Sequence, residues 1–283
     1  MKILGRRLDD FAGDGIGSFD RITGFVVVVQ PFCLEQYAAG VANCNASGLP
    51  AGWAGILIDA GTGNNTISIT NNYVHDGVRG DGIDIRGMNT GDISVDVEYN
   101  FVTRLVQCGS VRTIEGIGTQ VTGTSRLRST LFGNTEANNG SPGANMDSLF
   151  VNPAEDGVLT ETIDNNVYMT GIGGASTNGM EFILSNGSAH AKVAISNSFF
   201  QNNPGDMLEE FNRGGTGSRA ELDLDNVIVQ QTTYTGGLPV YGDPSGTAAP
   251  PDNTGECLGI GSVGANDTTI LVMTDSSPFA GNN

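Results

Sequence analysis

The chain of 283 residues reads as an all-β protein wound into a single solenoid. Three observations carry that reading. Two families of short, alternating apolar–polar segments recur together, their step stays near 30 residues, and asparagines follow the apolar core of the second family at almost every recurrence. A repeat of this length marks units that cannot bury their apolar faces alone and do so by stacking on their neighbours.

The first family starts at Gly55-Ile56, Gly82-Ile83, Gly116-Ile117, Ser148-Leu149, Gly179-Met180 and Met207-Leu208. Alternation with a period of two is the mark of a half-buried strand. It turns Ile56, Ile83, Ile117, Leu149, Met180 and Leu208 inward. The second family comprises "ISITNNYV" (67–74), "VDVEYNFV" (95–102), "STLFGNTE" (129–136), "ETIDNNVY" (161–168), "VAISNSFF" (193–200) and "LDLDNVIV" (222–229). Its inward positions include Ile69, Val97, Leu131, Ile163, Ile195 and Leu224. No helical period of useful length interrupts either family. Residues 51–234 are therefore expected to form the coils, and residues 1–50 the first coils and an N-terminal cap. Residues 235–283 are expected to form a Gly- and Pro-rich loop, then a C-terminal strand and cap at "TTILVMTD" (268–275). Caps are needed because an open solenoid end presents unpaired strand edges.

The asparagines are Asn71, Asn72, Asn100, Asn134, Asn165, Asn166, Asn197 and Asn226. Asparagine tolerates left-handed backbone and bonds nearby amides. In register, such side chains can run along the stack as a ladder, so they read as structure, not chemistry. Together with the rung "GDGIDI" (80–85), they resemble the right-handed parallel β-helix of the pectin-lyase-like superfamily, over about residues 50 to 235. That resemblance implies a three-sheet, triangular cross-section, whereas the periodicity itself reveals two strand families. It also implies a family of lyases, hydrolases, epimerases, tailspikes and adhesins, so the fold alone does not assign an activity.

Composition excludes some partners. Acidic residues number 31 against 13 basic ones, for a net charge of −18, and Lys2 and Lys192 are the only lysines. Such a surface repels nucleic acid and anionic membranes. The run "FVVVVQPFCL" (25–34) is too short to cross a bilayer and contains Pro31, so it reads as a buried strand. The N-terminus lacks the apolar stretch of a signal peptide. Cys33, Cys44, Cys108 and Cys257 show no metal-ligand spacing. A Cys33–Cys44 disulfide, which would imply export, and free buried thiols are the two alternatives for that pair. A secreted or cell-surface location is the expectation.

Stacking turns sequence positions into columns. Asp81, Glu115, Asp147, Asn178 and Asp206 precede the apolar pairs of successive rungs, with neighbouring rungs about 4.8 Å apart. Carboxylates that close shift one another's pKa and can divide acid and base roles. The separation is also near that of a retaining glycosidase pair, and the same acids can hold Ca²⁺ with carbonyls and water. The next columns are Leu57, Asp84, Gly118, Phe150, Glu181 and Glu209, then Asp59, Arg86, Gln120, Asn152, Ile183 and Phe211. Asp84 and Arg86 thus share one outer face. With His75, Asp76 and Arg79 in "VHDGVRGDG" (74–82) they form the densest ionisable patch in a chain only 16% charged. Arg79 or Arg86 can dock a carboxylate, and His75 can exchange protons near neutrality.

The candidate catalytic set is therefore Asp81, Glu115, Asp84, Arg86, Arg79 and His75, with Asp147 and Glu181 as substrate-binding residues and no metal ligands assigned. "RGDGID" is similar to the "NTDGID" rung of polygalacturonase-like hydrolases, which puts Asp81 on that motif's first catalytic aspartate. The next rung should then carry paired aspartates but offers "IEGIG" with Glu115; the following one, "NMDSLF", lacks the Gly-His-Gly histidine, and a later Arg-x-Lys is missing. The expectation is a carbohydrate-active β-helix protein, a polysaccharide lyase or glycoside hydrolase acting on an extended glycan along the outer groove, with Ca²⁺ the one cofactor in view. The alternative is a non-catalytic adhesin, tailspike-like or glycan-binding module. In both, the partner is a polysaccharide or surface glycan.

Overall fold

The computed structural model describes residues 2–4, 26–29, 54–75, 81–103, 105, 114–137, 139, 145–169, 176–201, 208–215, 217–230, 258–262 and 267–276. Among these residues every regular element is a β-strand, and together the strands form a parallel β-helix. The four cysteines, Asp76, Arg79 and Asp206 lie outside the described residues.

Six successive coils each contribute one strand to each of three sheets, and β21 (Gly259–Ser262) and β22 (Thr268–Thr274) extend the first two. The first sheet holds β3 (Ala54–Ala60), β6 (Asp81–Gly87), β9 (Ile114–Val121), β12 (Asn145–Glu155), β15 (Ser176–Gly187), β18 (Leu208–Gly215) and β21 (Gly259–Ser262). The second holds β4 (Asn64–Thr70), β7 (Asp92–Glu98), β10 (Arg126–Phe132), β13 (Val158–Asp164), β16 (His190–Ser196), β19 (Arg219–Asp225) and β22 (Thr268–Thr274). The third is built of three-residue strands: β5 (Tyr73–His75), β8 (Phe101–Thr103), β11 (Thr135–Ala137), β14 (Val167–Met169), β17 (Phe199–Gln201) and β20 (Ile228–Gln230). From the N-terminal region, β1 (Lys2–Leu4) adds to the second sheet in parallel with β4. β2 (Val26–Val29) lies antiparallel to β3 and ends the parallel run of the first sheet.

The pairing follows the sequence columns. Ile56, Ile83, Ile117, Leu149, Met180 and Leu208 are successive partners across the first sheet. Ile69, Val97, Leu131, Ile163, Ile195 and Leu224 are partners across the second. Ile56, Ile58, Ile83, Ile85 and Ile69 are completely buried, each contributing about 2–3 kcal/mol by leaving water. The second sheet keeps its other face wet, as its strict exposed–buried alternation records in β10 and β13. β6 differs, because its outward Asp84 is as buried as its inward isoleucines.

The asparagines separate into two columns at the corner between the second and third sheets. Asn71, Asn165, Asn197 and Asn226 take left-handed backbone, with φ of 56°, 56°, 47° and 51°. The following residues form the buried ladder. The Asn72 amide N–H and Nδ2 both donate to Asn100 Oδ1 at 2.9 Å, and the same two groups of Asn100 donate to Asn134 Oδ1 at 3.0 Å. Asn134 N–H donates to Asn166 Oδ1 at 2.8 Å, and Asn166 N–H to Ser198 Oγ at 3.2 Å. Each rung thus satisfies the buried amide of the one before it.

Candidate functional site

The outward columns of the first sheet bring several candidate residues together. Asp84 and Arg86 stand two apart on β6, and Arg86 Nε donates to Asp84 Oδ2 at 2.8 Å. On the next coil, Gly118 is the register partner of Asp84. Its missing side chain leaves room that two carboxylates share. A Cβ there would lie 3.5 Å from Asp84 Oδ1 and 3.7 Å from Glu115 Oε2, which places those oxygens within about 7 Å of each other. Asp81, at the start of β6, turns its Oδ1 toward the neighbouring coil and accepts the Glu115 N–H at 3.0 Å. Exposure is minimal throughout: 1% for Asp81, 0% for Asp84 and 4% for Glu115.

Other candidates are placed elsewhere. His75 ends β5 on the third sheet, buried and stacked on the Tyr73 ring at a centroid distance of 4.3 Å. The backbone of Asp147 pairs with Glu115 and Asn178, as its column requires. Glu181 is half-buried, paired in register with Phe150 and Glu209. Among the described residues no group of three or more His, Cys, Asp or Glu side chains is arranged to hold a metal ion.

The structure adds acids that the column reading passed over. Glu161 faces the lumen from β13, between Ser129 and Val193 in register. Ser129 Oγ donates to its Oε1 at 2.9 Å and Thr119 Oγ1 to its Oε2 at 3.1 Å. Burial pushes its pKa up to about 7 against these two bonds. Glu136 on β11 is also fully buried, next to Tyr168 in register. Neither of its carboxylate oxygens nor the Tyr168 hydroxyl has a hydrogen-bond partner among the described residues, and burial holds Glu136 well above the usual carboxylate range. A third lumen acid, Glu210 on β18, is raised to about 8 by burial and then by the negative charges of Asp223 and Glu221. Parity was the available signal for two of the three: Glu161 lies two residues before the inward Ile163, and Glu210 two after the inward Leu208.

A second arrangement spans the third sheet and its corner with the second. Tyr73 and Phe101 stack at 5.4 Å, and Tyr99 meets the Phe132 ring edge-on at 5.3 Å. Tyr99 is 53% exposed and Phe101 36%. Comparison of the chain with family models, with curated proteins and with solved structures finds no match.

Proposed function

We propose that the chain is a non-catalytic, glycan-binding solenoid module of a secreted or cell-surface protein, built on the pectin-lyase-like plan. The observation that carries this reading is the state of the acids on the first sheet. A carboxylate that exchanges a proton with a glycosidic oxygen must reach hydrogen-bond distance of it. Asp81, Asp84 and Glu115 are instead closed to solvent; Asp81 is bonded to a backbone amide and Asp84 to a guanidinium. Asp81 ties β6 to the next coil through the Glu115 amide, and Asp84 is held on its own strand by Arg86. Exposed aromatic rings, the means by which a solenoid flank holds sugar, sit instead on the third sheet and at its corner with the second.

A second reading, cleavage of an extended glycan, draws on the convergence of Asp84 and Glu115 above Gly118. The upper bound of about 7 Å on their oxygen separation is compatible with glycosidase carboxylate pairs, and Arg86 would orient Asp84. Both readings meet in one experiment. The whole chain is incubated with a panel of neutral and acidic polysaccharides, with and without calcium, and both reducing-end release and binding are scored. The module reading expects binding without product, and binding kept in Asp84→Asn and Glu115→Gln. Product from the unaltered chain that disappears in both variants would overturn it in favour of cleavage.

A further inference from the structure

Along the outer side of the third sheet, each coil contributes one residue to a single column. Tyr73, Phe101, Thr135, Val167, Phe199 and Ile228 are successive register partners. No charge occurs in this column, although the chain carries −18. Beside it runs the left-handed corner of Asn71, Tyr99, Gly133, Asn165, Asn197 and Asn226, also uncharged. Charges begin one position further back, on the second sheet, at Glu98, Asp164 and Asp225. The result is a neutral ribbon of rings and amides with an acidic border.

Tyr99 is the anomaly in it. The corner is filled by asparagine or glycine on every other of these coils, because left-handed backbone suits them. Tyr99 holds φ at 54° without either advantage, a strain of about 1 kcal/mol or more. Its ring occupies the space that any Cβ at Gly133 would need: such an atom would fall 2.8 Å from Tyr99 Cδ1 and Cε1. Phe132 braces the ring from the side. A ring fixed in this way and still 53% exposed is presented to something outside the chain.

We infer that this ribbon is a docking site for an extended, uncharged polysaccharide lying parallel to the solenoid axis. The inference rests on the glycan-binding reading and assigns it a site and a substrate class. Apolar ring faces receive the C–H faces of sugars, and asparagine amides bond hydroxyls, which are the two chemistries the ribbon offers. The acidic border turns away anionic glycans. Size argues against a second copy of the chain. Six rungs and two columns give a ribbon roughly 24 Å by 10 Å, or about 240 Å², whereas a stable protein interface needs about 800 Å² per partner. Mutual repulsion between two copies of net charge −18 adds to that.

The test is affinity electrophoresis of the whole chain in gels containing soluble xylan, mixed-linkage glucan or galactomannan, with polygalacturonate as the acidic probe. At least one neutral polymer should retard the chain and polygalacturonate should not. Tyr99→Asn and Phe101→Thr install residues that the same columns carry at Asn71 and Thr135, so both variants keep the repeat's own pattern. Each should weaken the neutral retardation about tenfold, the worth of one good aromatic contact. Neutral retardation undiminished in Tyr99→Asn overturns the ribbon and leaves the glycan-binding reading standing, as does retardation by polygalacturonate alone. Retardation by no polymer overturns both. A concentration-dependent dimer abolished by Tyr99→Asn would reassign the ribbon to a second copy.

Discussion

Glu161 should make the solenoid more stable in mild acid than at neutral pH. It stands in a lumen column whose other described members are Ile67, Val95, Ser129, Val193, Leu222 and Leu271. Ionised, it would place a charge among apolar side chains with two hydroxyls to solvate it. Its folded pKa of about 7 lies above the ordinary 4.5, so the folded chain holds the proton where the unfolded chain has released it. Stability from this group is complete below pH 4.5 and is lost as the pH climbs to 7. At 1.36 kcal/mol for each pH unit, the loss is about 3 kcal/mol, a large part of the 5–15 kcal/mol that holds an ordinary domain together.

The assay is urea unfolding of the whole chain at pH 4.5, 6, 7 and 8, alongside Glu161→Gln. The substitution keeps the shape and the carbonyl that accepts from Ser129, and removes the titration. Self-repulsion of the remaining acids also grows with pH, and both proteins share it, so the difference between the two curves isolates Glu161. Glu161→Gln should lose about 3 kcal/mol less than the unaltered chain between pH 4.5 and 7. Parallel curves would refute the reasoning and mean that Glu161 ionises in the lumen without penalty.

Glu210→Gln should flatten the same profile over a window reaching about pH 8, because burial and its acidic neighbours raise that group further; unfolding at pH 7 and 8 measures it. Gly82→Ala should destabilise by about 2–3 kcal/mol, since its Cβ would meet the Gly116 carbonyl and Val102 at 2.4 Å. Gly63→Ala, with φ of 84° but open space around it, should cost only about 1 kcal/mol for the left-handed backbone. Urea midpoints of the two glycine variants give the comparison. Asn134→Ala removes the acceptor for two buried Asn100 donors and should cost about 3 kcal/mol. The exposed corner change Asn165→Ala should cost about 1 kcal/mol, so the order of the two midpoints checks the division of the asparagines into ladder and corner.

The six recurring strands in each of the first two sheets were legible, because strands of seven or more residues alternate long enough to fix which face is which, whereas the short β1 and β21 were not. The third sheet was not. Its strands have three residues, such as Tyr73–His75, too few to show a period, and the resemblance alone implied it. Glu136 was hidden with it. Glu161 and Glu210 were hidden for another reason: an acid on an inward parity is normally taken as a break in the pattern, because its desolvation is so unfavourable. The acidic column was legible as an alignment of residues but not as a site. Register gives the neighbours, whereas whether Asp81 faces a groove or the Glu115 amide depends on rotamers and on what covers the rung.

Repetition supplies an internal control that a single strand lacks. Every coil solves the same corner, so the repeat shows what the backbone prefers there, and a departure that lowers stability calls for a reason. Away from the corner, buried Asp81 has such a reason within the fold, since its carboxylate satisfies a buried amide of the next coil. Tyr99 gains one ring contact from Phe132, about 0.5–1.5 kcal/mol, against left-handed strain of similar size. More than half of its surface stays in water. Tyr99→Asn should therefore leave the unfolding midpoint unchanged or raise it slightly while glycan retardation falls. A clear loss of stability in that variant would show that the ring belongs to the scaffold, and the case for a docking ribbon would have to rest on Phe101 alone.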